Sequence, residues 1–214
     1  MFHHWPMARG RRVQHREAQV KILGLDLGVV NPAAAIVHRG TPRYRVTWRA
    51  NGHFPKPANE RLTRAASLRA RLKLALALYQ QWLTHAKAEG VILVVIEDPR
   101  TTIVGKSRDR LTNHATIGMQ LEQFHRVTGY AEALGLRVMN VTPQEAGRMM
   151  SLSLPVFPGG DEKAKRKHEA VRRKAKKAQT KRFTELCLDG HDLLETEDET
   201  DAAAIAWVGG RKVR

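Results

Sequence analysis

The chain has 214 residues, 37 of them Lys or Arg and 21 Asp or Glu, giving a formal net charge of +16 and a pI near 10.6. This length and a hydrophobic content of 42% suffice for one packed core, which excludes a wholly disordered chain. The single cysteine, Cys187, excludes an internal disulfide framework and a cysteine-cluster metal site; no apolar run approaches the roughly 20 residues of a membrane span or looks like the core of a signal peptide. The expected setting is therefore reduced, intracellular and cytoplasmic. The expected partner is a polyanion, nucleic acid before others.

Residues 1–19 are polar, basic and without period, and read as a flexible arm. Val20–Gly28 (VKILGLDLG) is an apolar run carrying one acid, Asp26. Ala33–Val37 is a second short run, and Arg43–Trp48 alternates polar and apolar. Turn signals at Asn31-Pro32 and Gly40-Thr41-Pro42 separate the three, which predicts an antiparallel meander. A long helix follows from about Glu60 to Lys87, with Leu62, Ala65, Leu68, Leu72, Ala75, Tyr79, Trp82 and Ala86 on one stripe. Val91–Ile96 is a continuous apolar run ending in Glu97, as in a central strand covered on both faces.

Residues 98–111 form a basic loop. A helix from about Asn113 to Leu134 carries Ile117, Leu121, Phe124, Val127, Ala131 and Leu134 on one face. Leu136–Val141 is another strand, and Thr142-Pro143 caps a short helix with Pro at its first position. Leu154–Gly160 breaks the pattern. Residues 161–182 then hold eleven Lys or Arg against three acids and merge into a helix through Phe183, Leu186 and Leu188. From Asp189 to Asp201 the sign reverses, with seven acids and no Lys or Arg, and an apolar helix, Ala202–Val208, precedes a basic tail. The pattern predicts one α/β domain over residues 20–209. It has a mixed five-stranded sheet, with a three-strand antiparallel meander and two later strands parallel to the first, flanked by helices.

In this basic chain the acids at element ends stand out. Asp26 sits inside an apolar strand, where a carboxylate is costly to bury alone. Glu97 ends a strand expected beside the first. Asp198 and Asp201 stand at i and i+3 at the start of a helix and share a face. Each has a simpler use: Asp26 as a solvent-facing turn residue, Glu97 as a strand end or partner of Arg100, Asp198 as a helix cap. Together, four carboxylates from three remote segments would repel one another unless a divalent cation relieved the repulsion. Oxygen donors suit Mg²⁺ or Mn²⁺ rather than zinc. Two such ions in a basic surround point to phosphodiester hydrolysis.

These segments resemble RuvC-type Holliday junction resolvases, which have the ribonuclease H-like fold. ILGLDLG around Asp26 resembles that family's first strand, VVIEDPR around Glu97 its fourth strand, and DETDAAAIAW, with Asp198 and Asp201, its C-terminal helix. The resemblance covers about residues 20–209. It implies a homodimer that binds a four-way DNA junction and makes symmetric nicks, with Asp26, Glu97, Asp198 and Asp201 holding two Mg²⁺ or Mn²⁺ ions. The family's basic residue near the scissile phosphate maps onto KKAQTKRF, where Lys177 is favoured and Lys181 lies one turn on. Arg100, Lys106, Arg108 and Arg110 in the loop after Glu97, with Lys174, Lys176 and Lys181, are expected to hold DNA phosphates. The sequence departs from the family in two places. No aromatic lies between Asp98 and Asn113, where the family stacks one at the junction centre and where Ile103 could serve as a wedge. Residues 154–176 form a basic insertion where the family connection is shorter.

GLDLGVVN also resembles the first phosphate loop of actin-like ATPases, but that class needs two such domains and a second Gly-rich loop. Val104-Gly105-Lys106-Ser107 imitates the end of a P-loop, yet Arg100 stands where that motif needs Gly. Two alternatives stay open: a nuclease of this fold with another substrate (RNA–DNA hybrid, flap or transposon end), and a junction-binding protein without catalysis.

Overall fold

The computed structural model describes residues 20–40, 43–55, 64–99 and 114–213. The N-terminal arm, the start expected for the first long helix and the loop with Arg100, Ile103, Lys106, Arg108 and Arg110 lie outside the described residues, as do Arg214 and the side chains of Ala65 and Ile117.

The strands are β1 (Lys21–Asp26), β2 (Ala33–His38), β3 (Tyr44–Asn51), β4 (Leu93–Glu97), β5 (Arg137–Val141) and β6 (Leu188–Asp189). The helices are α1 (Arg64–Ala88), α2 (His114–Ala133), α3 (Pro143–Met149), α4 (Glu162–Cys187) and α5 (Glu197–Lys212). The sheet order is β5-β4-β1-β2-β3-β6. β1, β2 and β3 pair antiparallel in sequence, and β4 and β5 join parallel on the side of β1, as the pattern predicts. The sheet has six strands rather than the five expected. Tyr44 and Arg45 pair in parallel with Leu188 and Asp189. A two-residue strand has too few residues to show a period, so its sequence carries no strand signal.

Side chains alternate across the sheet. Leu23 and Leu25 of β1, Ala34 and Ile36 of β2, and Val94 and Ile96 of β4 pack on α1 and α2 through Tyr79, Trp82, Leu83, Phe124 and Val127. On the opposite face, Ile22, Ala33, Ala35, Leu93 and Val95 meet α5 through Ala202, Ala203, Ile205 and Ala206. α5 lies very close to the sheet. A Cβ on Gly24 would stand 1.9 Å from the Ala202 carbonyl oxygen, and one on Gly209 would stand 2.2 Å from Val95. Small residues on both partners permit this approach.

α5 begins one turn before the apolar stretch that marks it in sequence. Thr196 caps it, accepting from the Glu199 amide while the Glu199 carboxylate accepts from the Thr196 amide. Thr142 caps α3 by accepting from the Glu145 amide, with Pro143 at the first position. The basic run is not separate from the helix that follows it: Glu162–Cys187 is one continuous helix capped by Asp161. Among the described residues no helix is long and apolar enough to cross a membrane.

Candidate active site

The strand period that fixes the core also aims the acids. Asp26 is in phase with Ile22 and Gly24, and Glu97 with Leu93 and Val95, so both carboxylates face α5. β1 and β4 are parallel neighbours with Leu25 paired to Ile96, so Asp26 and Glu97 end their strands side by side. The amide of Asp98 bonds to the Val141 carbonyl at 2.9 Å and holds the end of β4 to β5. Asp201 precedes Ala202, whose backbone lies against Gly24, and Asp198 is one turn earlier. The first turn of α5 is acidic at Glu197, Asp198 and Glu199, where the helix dipole favours negative charge.

The four carboxylates act on one another. Asp26 is partly buried at the cleft edge, and its carboxyl is held well above the usual range. Burial is the main cause, followed by the negative charges of Asp201, Glu97 and Asp198; Lys176 pulls the other way. Asp201 is pushed up to about 6, again by burial first; Lys176 and Lys177 lower it, Glu97 and Asp198 raise it. Asp26 and Asp198 open into a cleft of about 350 Å³, shared with Leu27–Asn31 and with Met119 and Gln120 of α2. Asp201 opens into a second cleft, of about 470 Å³, with Lys174, Lys177 and Lys181 of α4. Among the described residues no three His, Cys, Asp or Glu side chains stand at ready-made ligand spacing. The acids converge on one end of the sheet without closing into a tight cage.

The neighbouring acids have other work. Glu199 is fully buried. It accepts from Arg49 (2.9 Å), Asn51 (2.7 Å) and the amides of Glu195 (2.7 Å) and Thr196 (2.9 Å). Burial pushes its carboxyl up, but these donors outweigh burial and leave it below the usual range. Glu195 pairs with Arg49, and Glu197 with Lys177. Glu195, Glu197 and Glu199 are thus held by cations, whereas Asp198 lines the cleft beside Asp26. The ammonium of Lys177 sits on Glu197, and Lys176 is the cation that acts on both Asp26 and Asp201. The chemistry of the donor set, all carboxylate oxygen and mutually repelling, fits a hard divalent cation.

Two positioning groups escape sequence reading. Tyr79, which the periodicity of α1 reads only as core, donates its hydroxyl to the Asp26 carbonyl at 2.8 Å. Gln123 of α2, almost fully buried, donates to the Gly28 carbonyl at 3.3 Å. Both hold the loop leaving β1. A Gln inside an apolar helix face is a signal that something polar lies opposite, although sequence does not say what.

The fold is therefore the ribonuclease H-like fold, with four carboxylates gathered where β1, β4 and α5 meet. No family model matches the chain, nor does any curated protein. Among solved structures, it is similar to Thermus thermophilus RuvC in complex with Holliday junction substrate. The identity is 12% and the TM-score 0.54, over 91% of this chain and 96% of that one. It is also similar to Thermus thermophilus RuvC solved separately, at 13% identity and TM-score 0.51, over 89% of this chain and 93% of that one. The likeness is one of fold.

Proposed function

We propose that this protein is a metal-dependent endodeoxyribonuclease that resolves four-way DNA junctions, acting as a homodimer that places symmetric nicks. The observation that carries the reading is the convergence and mutual influence of Asp26, Glu97, Asp198 and Asp201 at the ends of β1, β4 and the start of α5, in a chain of net charge +16. The fold shared with RuvC, solved on its junction substrate, supports it.

Asp26, Glu97, Asp198 and Asp201 would hold Mg²⁺ or Mn²⁺, two ions in this reading. Bound there, the ions would supply a hydroxide at neutral pH and charge neutralisation at the phosphate. The protein's own groups do the rest. Lys174, Lys177 and Lys181 attract the phosphodiester backbone into the Asp201 cleft. The charge of Lys176 also reaches Asp26 and Asp201. Tyr79 fixes the backbone of Asp26, and the Arg49–Glu199–Asn51 cluster fixes the first turn of α5 and so the bearing of Asp198 and Asp201. Two sites related by a two-fold axis suit paired cuts.

The test is a cleavage assay with Mg²⁺ comparing a labelled four-way junction with linear duplex, RNA–DNA hybrid and flap. Paired symmetric nicks on the junction, lost in Asp26→Asn, are expected, and sedimentation should show a dimer. Cleavage of hybrid or flap alone would keep the nuclease and change its substrate. Tight junction binding with no cleavage would make the protein a non-catalytic junction binder.

A further inference from the structure

α4 carries two basic stripes, and each faces a different cleft. Lys174, Lys177 and Lys181 line the cleft that opens on Asp201. Arg172 and Lys176, spaced i and i+4, turn to another side, with Arg173 at the edge between the two stripes. There they form one wall of a larger cleft, of about 700 Å³, whose opposite wall is α3 with Arg148. Leu152 and Leu154 supply apolar surface between the walls, and Glu169 is the one acid against four cations.

This cleft is built rather than accidental. Ser151, with φ of 55°, turns the chain sharply out of α3 into residues 152–160, which have no regular secondary structure. That segment is then fastened to α4. The Gln179 side chain accepts from the Ser153 amide at 2.8 Å and donates to its carbonyl at 2.6 Å. His168 lies 3.2 Å from the Pro155 carbonyl, and its ring packs on Phe157 with centroids 5.3 Å apart. α3 is tied to α5 by Lys212 and Glu145 at 2.6 Å. Both walls are anchored, while Arg148, Arg172 and Arg173 are exposed and make no ion pair among the described residues. Unpaired guanidinium groups on two facing walls, with apolar surface between them, suit the backbone of a nucleic-acid strand: phosphates against the walls, sugars on the leucines. No aromatic lines the cleft, so base stacking is not its means of recognition.

We propose that the α3–α4 cleft, through Arg148, Arg172 and Arg173, is a second DNA-backbone site that grips a junction strand next to the carboxylates. Lys176 joins the two places, since it lines this cleft and its charge acts on Asp26 and Asp201. The inference rests on the proposed function for its ligand class. It adds a path along which a strand reaches the acids from the face of α4 that carries Arg172 and Lys176.

The experiment compares wild type, the triple variant Arg148→Gln/Arg172→Gln/Arg173→Gln, and a control, Lys163→Gln/Lys167→Gln, which neutralises two exposed cations of α4 that do not line the cleft. Fluorescence anisotropy of a labelled four-way junction is read across a salt series, with Ca²⁺ in place of Mg²⁺ or Mn²⁺. Circular dichroism checks that all three proteins are folded. Every phosphate that the protein no longer neutralises lowers the log–log salt slope by about 0.9, so the triple variant should lose roughly 2 to 3 units and bind about tenfold or more weakly near 0.1 M salt. The control should hold the wild-type slope. With Mg²⁺ restored, the triple variant should raise KM for the junction and keep kcat, because the cleft grips DNA away from the reacting phosphate. An unchanged slope in the triple variant overturns the proposal. So does an equal loss per charge in the control, or a fall in kcat at constant KM. The wild-type arm tells the two readings apart. Wild type that binds no DNA ends both, whereas wild type that binds and cuts beside an unaltered triple variant ends only the cleft.

Discussion

The two faces of the sheet are packed in opposite ways. Toward α1 and α2, tall side chains fill the gap: Leu23, Leu25 and Ile36 from the strands, Tyr79, Trp82, Leu83 and Phe124 from the helices. Toward α5, Ile22, Leu93 and Val95 are interleaved with Ala33, Ala35, Gly24 and the alanines of the helix, and the helix backbone rests almost directly on Gly24. The first face removes large apolar surfaces from water, worth about 1.5 to 3 kcal/mol for each large side chain. The second removes less per residue but fixes a distance. All four acids belong to the second face. The difference separates two tasks within one core, since the bulky face supplies stability and the thin face supplies position. A carboxylate cluster depends on position, because a shift of about 1 Å changes which oxygen atoms meet.

The largest expected effect is on the chemistry that the thin face positions. Asp26→Asn should lower junction cleavage by about three orders of magnitude or more while keeping or tightening junction binding, measured by single-turnover cleavage and anisotropy. In EDTA the same variant should melt higher than wild type. The raised carboxyls of Asp26 and Asp201 mean that the folded state resists ionisation, so the strain is absent well below the ordinary value of 3.8, where folded and unfolded chains are both protonated, and grows as pH rises through it. The gap in Tm between variant and wild type should therefore widen as pH rises above the usual carboxylate range and close on acidification. A gap that widens on acidification would contradict the geometry.

Gly24→Ala comes next. Its Cβ would stand 1.9 Å from the Ala202 oxygen and 2.8 Å from the Ala206 nitrogen, both backbone atoms. One methyl must push α5 off the sheet, at a cost of about 3 kcal/mol, and the acids of α5 move with it. Cleavage should be lost even at temperatures where calorimetry shows the variant folded. Leu83→Ala tests the other face. A buried leucine truncated among large neighbours should cost about 2 to 5 kcal/mol in urea unfolding. Cleavage below the lowered Tm should remain near wild type, because no acid moves. If Leu83→Ala lost cleavage and Gly24→Ala kept it, the division between the faces would be wrong. Tyr79→Phe should be the mildest, about 1 kcal/mol, since it removes one hydrogen bond and no volume. It should still slow cleavage by more than Leu83→Ala does, because the missing bond is the one on Asp26.

Much of this was written in local pattern. Strand period 2 and helix period 3.6 identify β1 to β5 and the stripes of α1 and α2, because side-chain direction follows from backbone geometry alone. Turn residues order the meander, and a carboxylate inside an apolar run marks Asp26 without any structure. The i, i+3 spacing puts Asp198 and Asp201 on one face before any neighbour is known. What local pattern lacks is the identity of the neighbour across space. Glu197, Asp198 and Glu199 are consecutive acids in one helical turn, and chain chemistry does not rank them. Arg49 and Asn51, from a strand far earlier in the chain, claim Glu199, and Lys177 claims Glu197, which leaves Asp198 to the cleft. Lys176 and Lys177 are adjacent in sequence but about 100° apart around α4, so the packing of that helix decides which cleft each one lines. β6 exists only because β3 offers an open edge to two residues. Which residues could carry the chemistry is legible along the chain, because residue type and period are local properties. Which of them meet follows from folding, because burial and charge pairing depend on segments that the chain brings together only in the folded state.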